Sequence, residues 1–517
     1  MASAAPAQEP YLKFTDAERW LAVAVMAFSN FMVVLDMTIA NVSVPHIAGD
    51  LGTSTDQGTW VITSYAVAEA ICVPLTGWLA QRFGVVRVFV TAMLGFAGFS
   101  FACGLAPSLM VLVAFRIGQG LCGGPIMPMS QTLIQRVCAP HQRNKAMAIW
   151  AMTTTAGPAL GPILGGWISD NYSWNWIFFI NVPIGIVVSM ASWTMVRRVE
   201  TETQKLPIDR IGLGLMVFWI TCLQIMLDIG RDHDWFSDWK IVALAIGGAV
   251  GFVVFVIWEL TEEHPVVDLR VFRHRGFTAV VVTQAFGFGA FFSGVVVVPQ
   301  WLQIYQGYTA TLAGMVAGVH AYAAMASSQF VARAMGKMDA RIIVFTGLVW
   351  MGVATMIRSA FWNSSSDFWF LTGTMFIQGF GVAMMFIPLT ALSLGSVLPQ
   401  EVPSAAGLQN FVRTVAGAVA TSLVLTIWGN GQSSTRDMLV NRLQPAEAQR
   451  LLAGVGFNAD QTRGYISQMV EKEAAVIALD HTFQVAAALL FIAAALVWIV
   501  PAKAGQRMTG GPPAGGH

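Results

Sequence analysis

Residues 116–128, RIGQGLCGGPIMP, return in weaker form at residues 376–388, FIQGFGVAMMFIP, with the Gln-Gly pair 259 positions further along the chain. Two more pairs of segments repeat at nearly the same offset: VPHIAGDLGTSTDQG (44–58) with VPQWLQIYQGYTATLAG (298–314), and Ala156-Gly157 with Ala416-Gly417. Equal offsets at successive places predict two related halves. Parallel halves around a central cavity are a known plan of secondary transporters, whereas a channel or a membrane enzyme does not need it.

The composition predicts that most of the chain lies in lipid. Of 517 residues, 56% are hydrophobic and only 11% are charged, against about 25% charged in an average soluble domain. The formal net charge of +1 argues against nucleic acid or an acidic substrate as a partner. The polar N-terminus lacks the pattern of a cleavable signal peptide, so we expect the first span to be retained.

A search for membrane spans predicts fourteen helices. A span needs about 20 apolar residues, because each residue rises about 1.5 Å through about 30 Å of hydrocarbon. The predicted spans are 20–41, 58–80, 87–106, 109–134, 145–168, 176–196, 210–229, 240–260, 277–299, 309–332, 341–361, 368–395, 404–428 and 482–502.

Loop charge predicts the orientation of these spans. The intervening short loops at 42–57, 105–109, 169–175 and 300–308 contain no lysine or arginine. The loops between them are basic, and carry Arg82, Arg87, Arg136, Arg143, Lys145, Arg197, Arg198, Lys205, Arg210, Arg270, Arg273, Arg275, Arg333, Lys337 and Arg341. The positive-inside rule then places both termini in the cytoplasm and requires an even number of spans.

Together these patterns predict an all-α polytopic membrane protein with fourteen transmembrane helices in a 6+2+6 arrangement. The predicted parts are a cytoplasmic N-terminus at 1–19, a six-helix bundle at 20–196, two extra helices with linkers at 197–276, a second six-helix bundle at 277–502 that includes a periplasmic loop at 429–478, and a disordered cytoplasmic tail at 503–517. The five cysteines form no CxxC pair and no His or Cys stands at metal-ligand spacing, so we expect neither a metal nor another cofactor.

Ionisable residues within the spans are the strongest functional signal. Placing one at the centre of a bilayer costs about 2.5–3.5 kcal/mol or more, so each is a functional hypothesis by default. The deeply placed ones are Asp36, Glu69, Arg116, His320 and Arg413. Two further acids near span ends, Glu259 and Asp228, are discounted because they can reach the interface.

Depth along the helices predicts which of these groups meet. Counted at helical rise, Asp36 lies about 9 Å below the outer end of span one and Arg116 about 10 Å into span four, whereas Glu69 lies about 17 Å down span two. A buried arginine stays charged and needs a carboxylate or many acceptors nearby. A carboxylate balanced between burial and a neighbouring guanidinium can load a proton on one side and release it on the other.

A purely structural interpretation is open for each of these charges. Asp36 and Arg116 are also explained by an ion pair that holds two helices in register, and His320 and Arg413 by polar contacts that join helices.

Span five carries GPALGPILGG at 157–166. Its glycines at 157, 161 and 165 line one helix face, which lets a neighbouring backbone approach closely, and its prolines remove hydrogen bonds and kink the helix. We expect such a helix at a moving interface between the bundles.

These segments resemble a known family, the fourteen-span drug:proton antiporters of the major facilitator superfamily. LDMTIANVSVPHIAGDLG (35–52) is similar to the family's first-span motif, RIGQG (116–120) to its proton-relay motif and GPALGPILGG to its antiporter motif. Three further segments resemble the EmrB-type subunit in particular: WNWIFFINVPIG (174–185), QGTWVITSYAVAEAICVPLTGWLAQRFG (57–84) and LQNFVRTVAG (408–417). The loop after span two departs from the superfamily pattern, because Gln81 stands before Arg82 where aspartate is usual.

The resemblance implies an inner-membrane exporter of hydrophobic toxic compounds that works with a periplasmic adaptor of the EmrA type and an outer-membrane channel of the TolC type. It implies proton coupling at Asp36 and Arg116, to which we add Glu69 from its position. To a substrate cavity we assign Asn30, Gln119, His320 and Arg413, and to the antiporter motif Gly157, Pro158, Gly161, Pro162, Gly165 and Gly166.

Three alternatives are weighed against this interpretation. The first is an exporter of one native metabolite such as a siderophore or fatty acid. The second is a membrane enzyme or sensor, which the lack of a catalytic cluster such as HExxH disfavours. The third concerns residues 429–478, which either dock the adaptor or form a self-packed outer cap. The lack of a GxxxxGK[ST] loop excludes ATP hydrolysis by a Walker-type site and favours an ion gradient as the drive.

Overall fold

The computed structural model describes residues 10–205, 207–231, 235–442, 452 and 457–501, and within these ranges the regular elements are all helical. The first half contains α1 Asp16–Asp50, α2 Thr55–Gly58, α3 Trp60–Cys72, α4 Thr76–Phe83, α5 Val85–Gly104, α6 Leu109–Gly123, α7 Ile126–Val137, α8 Pro140–Asn171, α9 Trp176–Phe179 and α10 Asn181–Val196.

Two helices follow before the second half begins, α11 Arg210–Ile229 and α12 Trp239–Thr261. The second half contains α13 Arg275–Ile304, α14 Ala310–Met335, α15 Ala340–Phe361, α16 Phe368–Gly395, α17 Val402–Arg442 and α18 Ala459–Leu496. Short 3₁₀ helices lie at Pro10–Lys13, Arg197–Val199, Trp235–Ser237, Leu269–Arg273 and Val497–Ile499.

Eleven of the described helical segments are long and apolar enough to cross a membrane, and a twelfth is added if α3 and α4 form one span that bends by 58°. The bend falls at Pro74, which cannot donate to the helix ladder. The predicted spans 145–168 and 309–332 coincide with α8 and α14, which are long helices of lower apolarity. They pack against each other between the halves, so each presents less surface to lipid. With these two, a helical segment stands at each of the fourteen predicted positions.

The helices pack as two groups with a seam between them. In the first half α1 packs on α8 and α10, and α3 packs on α6. In the second half α14 and α15 pack on α16, and α13 and α17 pack on α18. The seam is formed by α8 against α14 and by α17 against α4 and α7, while α11 contacts both α3 and α17 from outside.

The helix starts follow from side-chain caps in the sequence. Thr15 and Glu18 form a capping box at α1, in which each side chain accepts from the other residue's backbone N–H. Asp209, Asp339 and Asp367 cap α11, α15 and α16 in the same chemical way. The turn between α4 and α5 needs glycine, because Gly84 has φ of +93°.

Two helices extend well past the predicted span ends. The apolar stretch of span thirteen ends near residue 428, yet α17 continues to Arg442, and α18 begins at Ala459 rather than at 482. The polar extensions stay helical because they pack antiparallel, with Trp428 Nε1 donating to the Ala475 carbonyl at 3.0 Å. Residues 443–451 and 453–456 of the predicted loop lie outside the described part of the chain. The same holds for residues 1–9 and 503–517 of the predicted tails and for residue 502 of the last predicted span.

The two ends of the molecule differ in charge. The basic end carries the arginine-rich loops around residues 82–87, 136–145 and 333–341. The opposite end carries the loops around residues 105–109 and 169–175.

Candidate functional site

A buried ion pair joins α1 and α6 inside the first half. Arg116 Nη1 donates to Asp36 Oδ2 at 2.7 Å, and neither side chain has exposed surface. Burial removes the screening by water and strengthens the attraction, but it also strips both charges of their hydration. Such a pair is favourable only where further hydrogen bonds satisfy the remaining polar atoms.

Three neighbouring groups supply these hydrogen bonds. Gln119 Nε2 and Asn181 Nδ2 both donate to Asp36 Oδ1, at 3.1 and 2.6 Å. Arg116 Nε donates to the Val61 carbonyl at 3.0 Å, and its Nη1 also donates to Gln119 Oε1 at 2.9 Å. Asp36 therefore accepts from three donors on two other helices, so both of its carboxylate oxygens are hydrogen-bonded.

A second layer holds these groups in place. The Arg116 guanidinium lies 4.3 Å from the centre of the Tyr65 ring, close enough for a cation–π interaction. Ser100 Oγ accepts from Asn181 Nδ2 at 3.1 Å and donates to the Phe178 carbonyl at 2.9 Å.

Asn181, Ser100 and Tyr65 were not among the site residues predicted from the sequence. The signal for Asn181 was present, because it is an amide within the apolar run of residues 176–185.

Glu69 lies in α3, which approaches α6 closely. A Cβ atom at Gly120 would meet the Tyr65 carbonyl, and one at Gly124 would meet the Glu69 carbonyl. Glu69 is buried at 4% exposure, and its Oε2 accepts no hydrogen bond from the described residues. No hydrogen bond joins Glu69 to the Asp36–Arg116 pair within the described part of the chain, so Glu69 is a separate buried carboxylate.

The residues assigned to a substrate cavity have different bonding partners in the described part of the chain. Gln119 belongs to the Asp36 site, whereas Asn30 Nδ2 donates to Thr153 Oγ1 at 2.9 Å between α1 and α8. In the second half, His320 Nδ1 lies 2.5 Å from the Ala317 carbonyl of its own helix. Arg413 in α17 reaches across the seam to the Met127 sulfur of α7.

The glycine face of span five packs inside the first half. Cβ atoms at Gly157, Gly161 and Gly165 would each meet α1, whereas at Gly166 there is open space. Thr38 Oγ1 donates to the Gly157 carbonyl at 3.2 Å along this contact. The glycine face of α8 therefore packs against α1 within the first half, and α8 itself lies at the seam through its contact with α14. The seam is met by another face of α8, where Ser328 of α14 contacts the Met152 sulfur at 3.2 Å. The side chains of Pro158 and Pro162 lie outside the described part of the structure.

Two buried charges differ from the sequence-based interpretation. Arg358 in α15, which was not singled out, is 1% exposed and donates to Thr355 Oγ1 at 2.8 Å, with its guanidinium 4.9 Å from the centre of the Phe483 ring. Glu259, discounted as able to reach the interface, has no exposed surface and accepts from the Val267 backbone N–H at 3.0 Å. The other discounted acid, Asp228, accepts from Thr63 Oγ1 and so links α11 to α3.

At the basic end, Glu200 takes a position beside the loop that departs from the superfamily pattern. Its carboxylate accepts from the backbone N–H groups of Val86 and Arg87, at 2.9 and 3.0 Å, and so caps α5. The Gln81 carbonyl accepts from the Gln204 backbone N–H at 2.9 Å.

The chain is similar in sequence to known membrane transporters. The family model for the Major Facilitator Superfamily matches residues 26–421. The chain is 40% identical over 491 residues to the multidrug export protein EmrB of Escherichia coli strain K12, a match that covers 94% of this chain and 96% of that protein. It is 39% identical over 485 residues to the fatty acid resistance protein FarB of Neisseria gonorrhoeae, which covers 93% and 95%.

A solved structure shows the same fold. The crystal structure of the human organic anion transporter MFSD10 superposes with a TM-score of 0.55, covering 91% of this chain and 99% of that one at 14% identity. The predicted fold class, an all-α polytopic protein with the major facilitator fold, is confirmed.

Proposed function

Because the chain belongs to the major facilitator superfamily and to its EmrB-type branch, we propose that it is a proton-driven antiporter that exports hydrophobic drugs and toxic compounds across the inner membrane. The membership confirms the resemblance drawn from the motifs and makes the chain a membrane transporter. The finer statements on protons, substrates, partners and orientation are our proposal.

The observation that supports proton coupling most directly is the Asp36–Arg116 pair. Asp36 is the membrane-embedded carboxylate with a hydrogen-bonded arginine partner and two amide donors. Burial opposes its charge and these donors favour it, so a modest rearrangement of α1, α6 or α10 changes its affinity for a proton. Proton uptake at Asp36 also frees Arg116 from its counter-ion, which couples the proton to the packing of the first half.

The membrane potential supplies enough energy for this exchange. One proton moving down 100 mV yields about 2.3 kcal/mol, before any pH difference is added. Substrate leaves while the proton enters, as the two halves rock about the seam.

The test is pH-gradient-driven uptake of a fluorescent hydrophobic drug into inverted vesicles. We expect Asp36→Asn and Arg116→Lys to abolish uptake at equal membrane levels. The first change removes the group that binds the proton, and the second replaces a guanidinium with several fixed donors by a single ammonium group. Asp437→Asn, an exposed acid of α17, is the matched control and keeps uptake. Uptake at the unsubstituted level in both Asp36→Asn and Arg116→Lys would overturn the assignment.

The same proposal includes a tripartite pump with an EmrA-like adaptor and a TolC-like outer-membrane channel. In support, α17 runs about 14 residues past its apolar part, or about 21 Å at helical rise, and pairs there with α18. Exposed apolar side chains on these extensions could contact an adaptor: Met438 (49%), Val440 (53%), Tyr465 (43%) and Met469 (50%).

Replacing these four residues by serine tests the docking of the adaptor. We expect loss of adaptor co-purification with transport in vesicles retained, because the changes leave the spans intact. Co-purification at the unsubstituted level would favour a self-packed cap instead.

The proposed orientation places the basic end in the cytoplasm of a bacterial cell, with both termini inside. Cysteines introduced at exposed positions of opposite ends, Arg87 and Trp176, test this by labelling with an impermeant reagent in whole cells. We expect labelling at position 176 and none at position 87; the reverse result contradicts the orientation.

A second candidate function is export of one native acidic metabolite such as a fatty acid. The relative named for fatty acid resistance favours it, as do Arg358 and Arg413, two buried guanidinium groups that form no salt bridge with a described carboxylate. A panel of drugs and long-chain fatty acids in the vesicle assay separates the two functions. Transport of fatty acids alone would replace the broad drug exporter by this narrower one.

A further inference from the structure

The seam is tightly closed near the basic end, where α17 meets α3, α4 and α7. Ser404 packs directly against Gly77, at which even a methyl group would clash. One turn later, a Cβ atom at Gly407 would meet the Val73 carbonyl at 3.0 Å. In this structure the two halves are therefore in contact at the basic end, which we assign to the cytoplasm.

Further along α17 from the basic end, the seam contains polar side chains with atoms that form no hydrogen bond to described residues. Asn410 Nδ2 donates to Gln131 Oε1 across the seam at 2.8 Å. Several other atoms here are buried and have no hydrogen-bond partner among the described residues: Gln131 Nε2, Gln409 Nε2 and Oε1, Asn410 Oδ1 and Arg413 Nη1. Buried polar groups are normally hydrogen-bonded. Access of water to these atoms therefore favours opening of the seam.

Two residues of opposite charge, Glu69 and Arg413, lie on opposite sides of this seam. Glu69 lies on α3 of the first half and Arg413 on α17 of the second, and they are 4% and 5% exposed. The contacts of Gly77 with Ser404 and of Val73 with Gly407 continue along α3 and α17 toward Glu69 and Arg413, and these two helices are in contact. The attraction between the opposite charges of Glu69 and Arg413 therefore acts across the seam. The other titratable or charged groups near Glu69 are Arg116, Asp36, Tyr65 and Cys72.

Neither charge is consumed by another ion pair. Glu69 Oε2 and Arg413 Nη1 both lack hydrogen-bond partners in the described part of the chain. Among the residues that the structure describes, the Arg413 guanidinium contacts the Met127 sulfur and lies 5.7 Å from the centre of the Phe288 ring. The attraction between Glu69 and Arg413 thus acts between the two halves and depends on Glu69 being ionised.

We propose that Glu69 and Arg413 form a proton-controlled lock across the seam, which holds the basic end closed while Glu69 is ionised and releases it when Glu69 is protonated. Protonation removes the attraction between α3 and α17. It also leaves Arg413 as an uncompensated buried charge, which gains hydration if the seam opens. The unused amide atoms of Gln131, Gln409 and Asn410 gain water in the same step and provide a polar route by which the proton leaves Glu69 for the cytoplasm.

The lock assigns separate tasks to two carboxylates of the proposed antiporter. Asp36 acts within the first half, whereas Glu69 reports its protonation to the contact between the halves. The inference therefore rests on the proposed function for its role in transport, although the lock itself is measurable without substrate or gradient.

The experiment measures how fast a cysteine in the seam reacts with N-ethylmaleimide. Ser404→Cys is placed in a cysteine-free full-length chain in lipid nanodiscs, with Thr76→Cys as a second reporter, since both positions are buried in the closed seam. A control reporter, Ser192→Cys, is buried in α10 away from the seam. Labelling is followed as a function of pH in the otherwise unaltered chain and in Glu69→Gln, Arg413→Gln and the double variant.

Because N-ethylmaleimide reacts with the thiolate, every labelling rate is divided by the rate of N-ethylmaleimide with free N-acetylcysteine at the same pH. We expect this normalised rate of the seam reporters to rise as the pH falls, because Glu69 becomes protonated. Glu69→Gln mimics the protonated acid, so it should raise the labelling rate about tenfold at neutral pH, equivalent to about 1.4 kcal/mol, and remove the pH dependence. Arg413→Gln should give a similar rise, and the double variant no further one, because the same interaction is lost. Ser192→Cys should stay slow in every background, and Glu259→Gln, another buried acid, should leave the seam reporters unchanged.

Seam labelling in Glu69→Gln that is as slow as in the unaltered chain, or that keeps its pH dependence, would overturn the lock. Independent, additive effects of the two substitutions would also overturn it. If labelling behaves as expected while drug transport needs no proton gradient, the lock stands and the proposed antiport fails. Separate measurements therefore distinguish the two failures.

Discussion

Asn181 offers the sharpest probe of how the site sets the charge of Asp36. Its Nδ2 donates to Asp36 Oδ1 at 2.6 Å, which is shorter than the bond from Gln119 Nε2 at 3.1 Å. A hydrogen bond to a charged group contributes about 1.5–3 kcal/mol. Asn181→Ala removes this donor and so weakens the ionised form of Asp36 relative to the protonated form.

The magnitude translates into a loss of transport rate. At about 1.4 kcal/mol for each tenfold change, loss of this donor should lower gradient-driven uptake by about 10- to 100-fold. Uptake should be weakened rather than abolished, because Asp36 keeps its bonds from Arg116 and Gln119.

The assay is gradient-driven drug uptake in proteoliposomes with the internal and external pH varied together at constant pH difference. Ser189→Ala is the matched control, because Ser189 lies on the same helix and its hydroxyl donates to the Gly185 carbonyl of that helix at 2.7 Å, away from Asp36. We expect its profile to coincide with that of the unsubstituted chain. A profile of Asn181→Ala that also coincides, at normal membrane levels, would refute the idea that Asp36 exchanges the proton.

Three further predictions concern packing and helix ends. Gly161→Val should lower the thermal unfolding midpoint in detergent, because overpacking against the α1 backbone costs about 1–3 kcal/mol; Gly166→Ala faces open space, and an equal loss there would contradict this explanation. Tyr65→Phe should keep drug uptake because the ring under the guanidinium remains, whereas Tyr65→Ala should lose it; equal uptake by both variants would exclude a role of the ring. Glu200→Ala should destabilise the start of α5 by about 0.5–2 kcal/mol, seen as faster amide hydrogen exchange at residues 85–88, with unchanged exchange as the contrary result.

The sequence predicted the fold class because its signals are one-dimensional. Span length, loop charge and a repeat of about 259 residues need no knowledge of neighbours in space. The same reasoning is weakest for α8 and α14, whose composition is less apolar because they meet each other at the seam. The helices α17 and α18 also extend past the predicted span ends, since antiparallel packing rather than apolarity keeps their polar extensions helical.

The sequence predicted the position of the site residues along the helix axes, but not the angular orientation of the helices around those axes. Counting residues placed Asp36 and Arg116 at one level, and the structure brings them to 2.7 Å; their role in proton coupling stays a prediction. Asn181 arrives from a helix whose angular position no single sequence fixes, so its contact with Asp36 could not be derived. The glycine face of α8 was predicted to pack closely against a neighbouring backbone, and that neighbour is α1, which the sequence alone could not specify for the same reason.

The central claim, that Asp36 exchanges a proton for cargo, is tested most directly by comparing two modes of transport in Asp36→Asn proteoliposomes. Substrate–substrate counterflow requires binding and rocking but no net proton movement, whereas accumulation against a gradient requires proton exchange. We predict that Asp36→Asn retains counterflow and loses accumulation, and that nigericin together with valinomycin abolishes accumulation in the unsubstituted chain. Accumulation that survives these ionophores, or that persists in Asp36→Asn, would contradict the account.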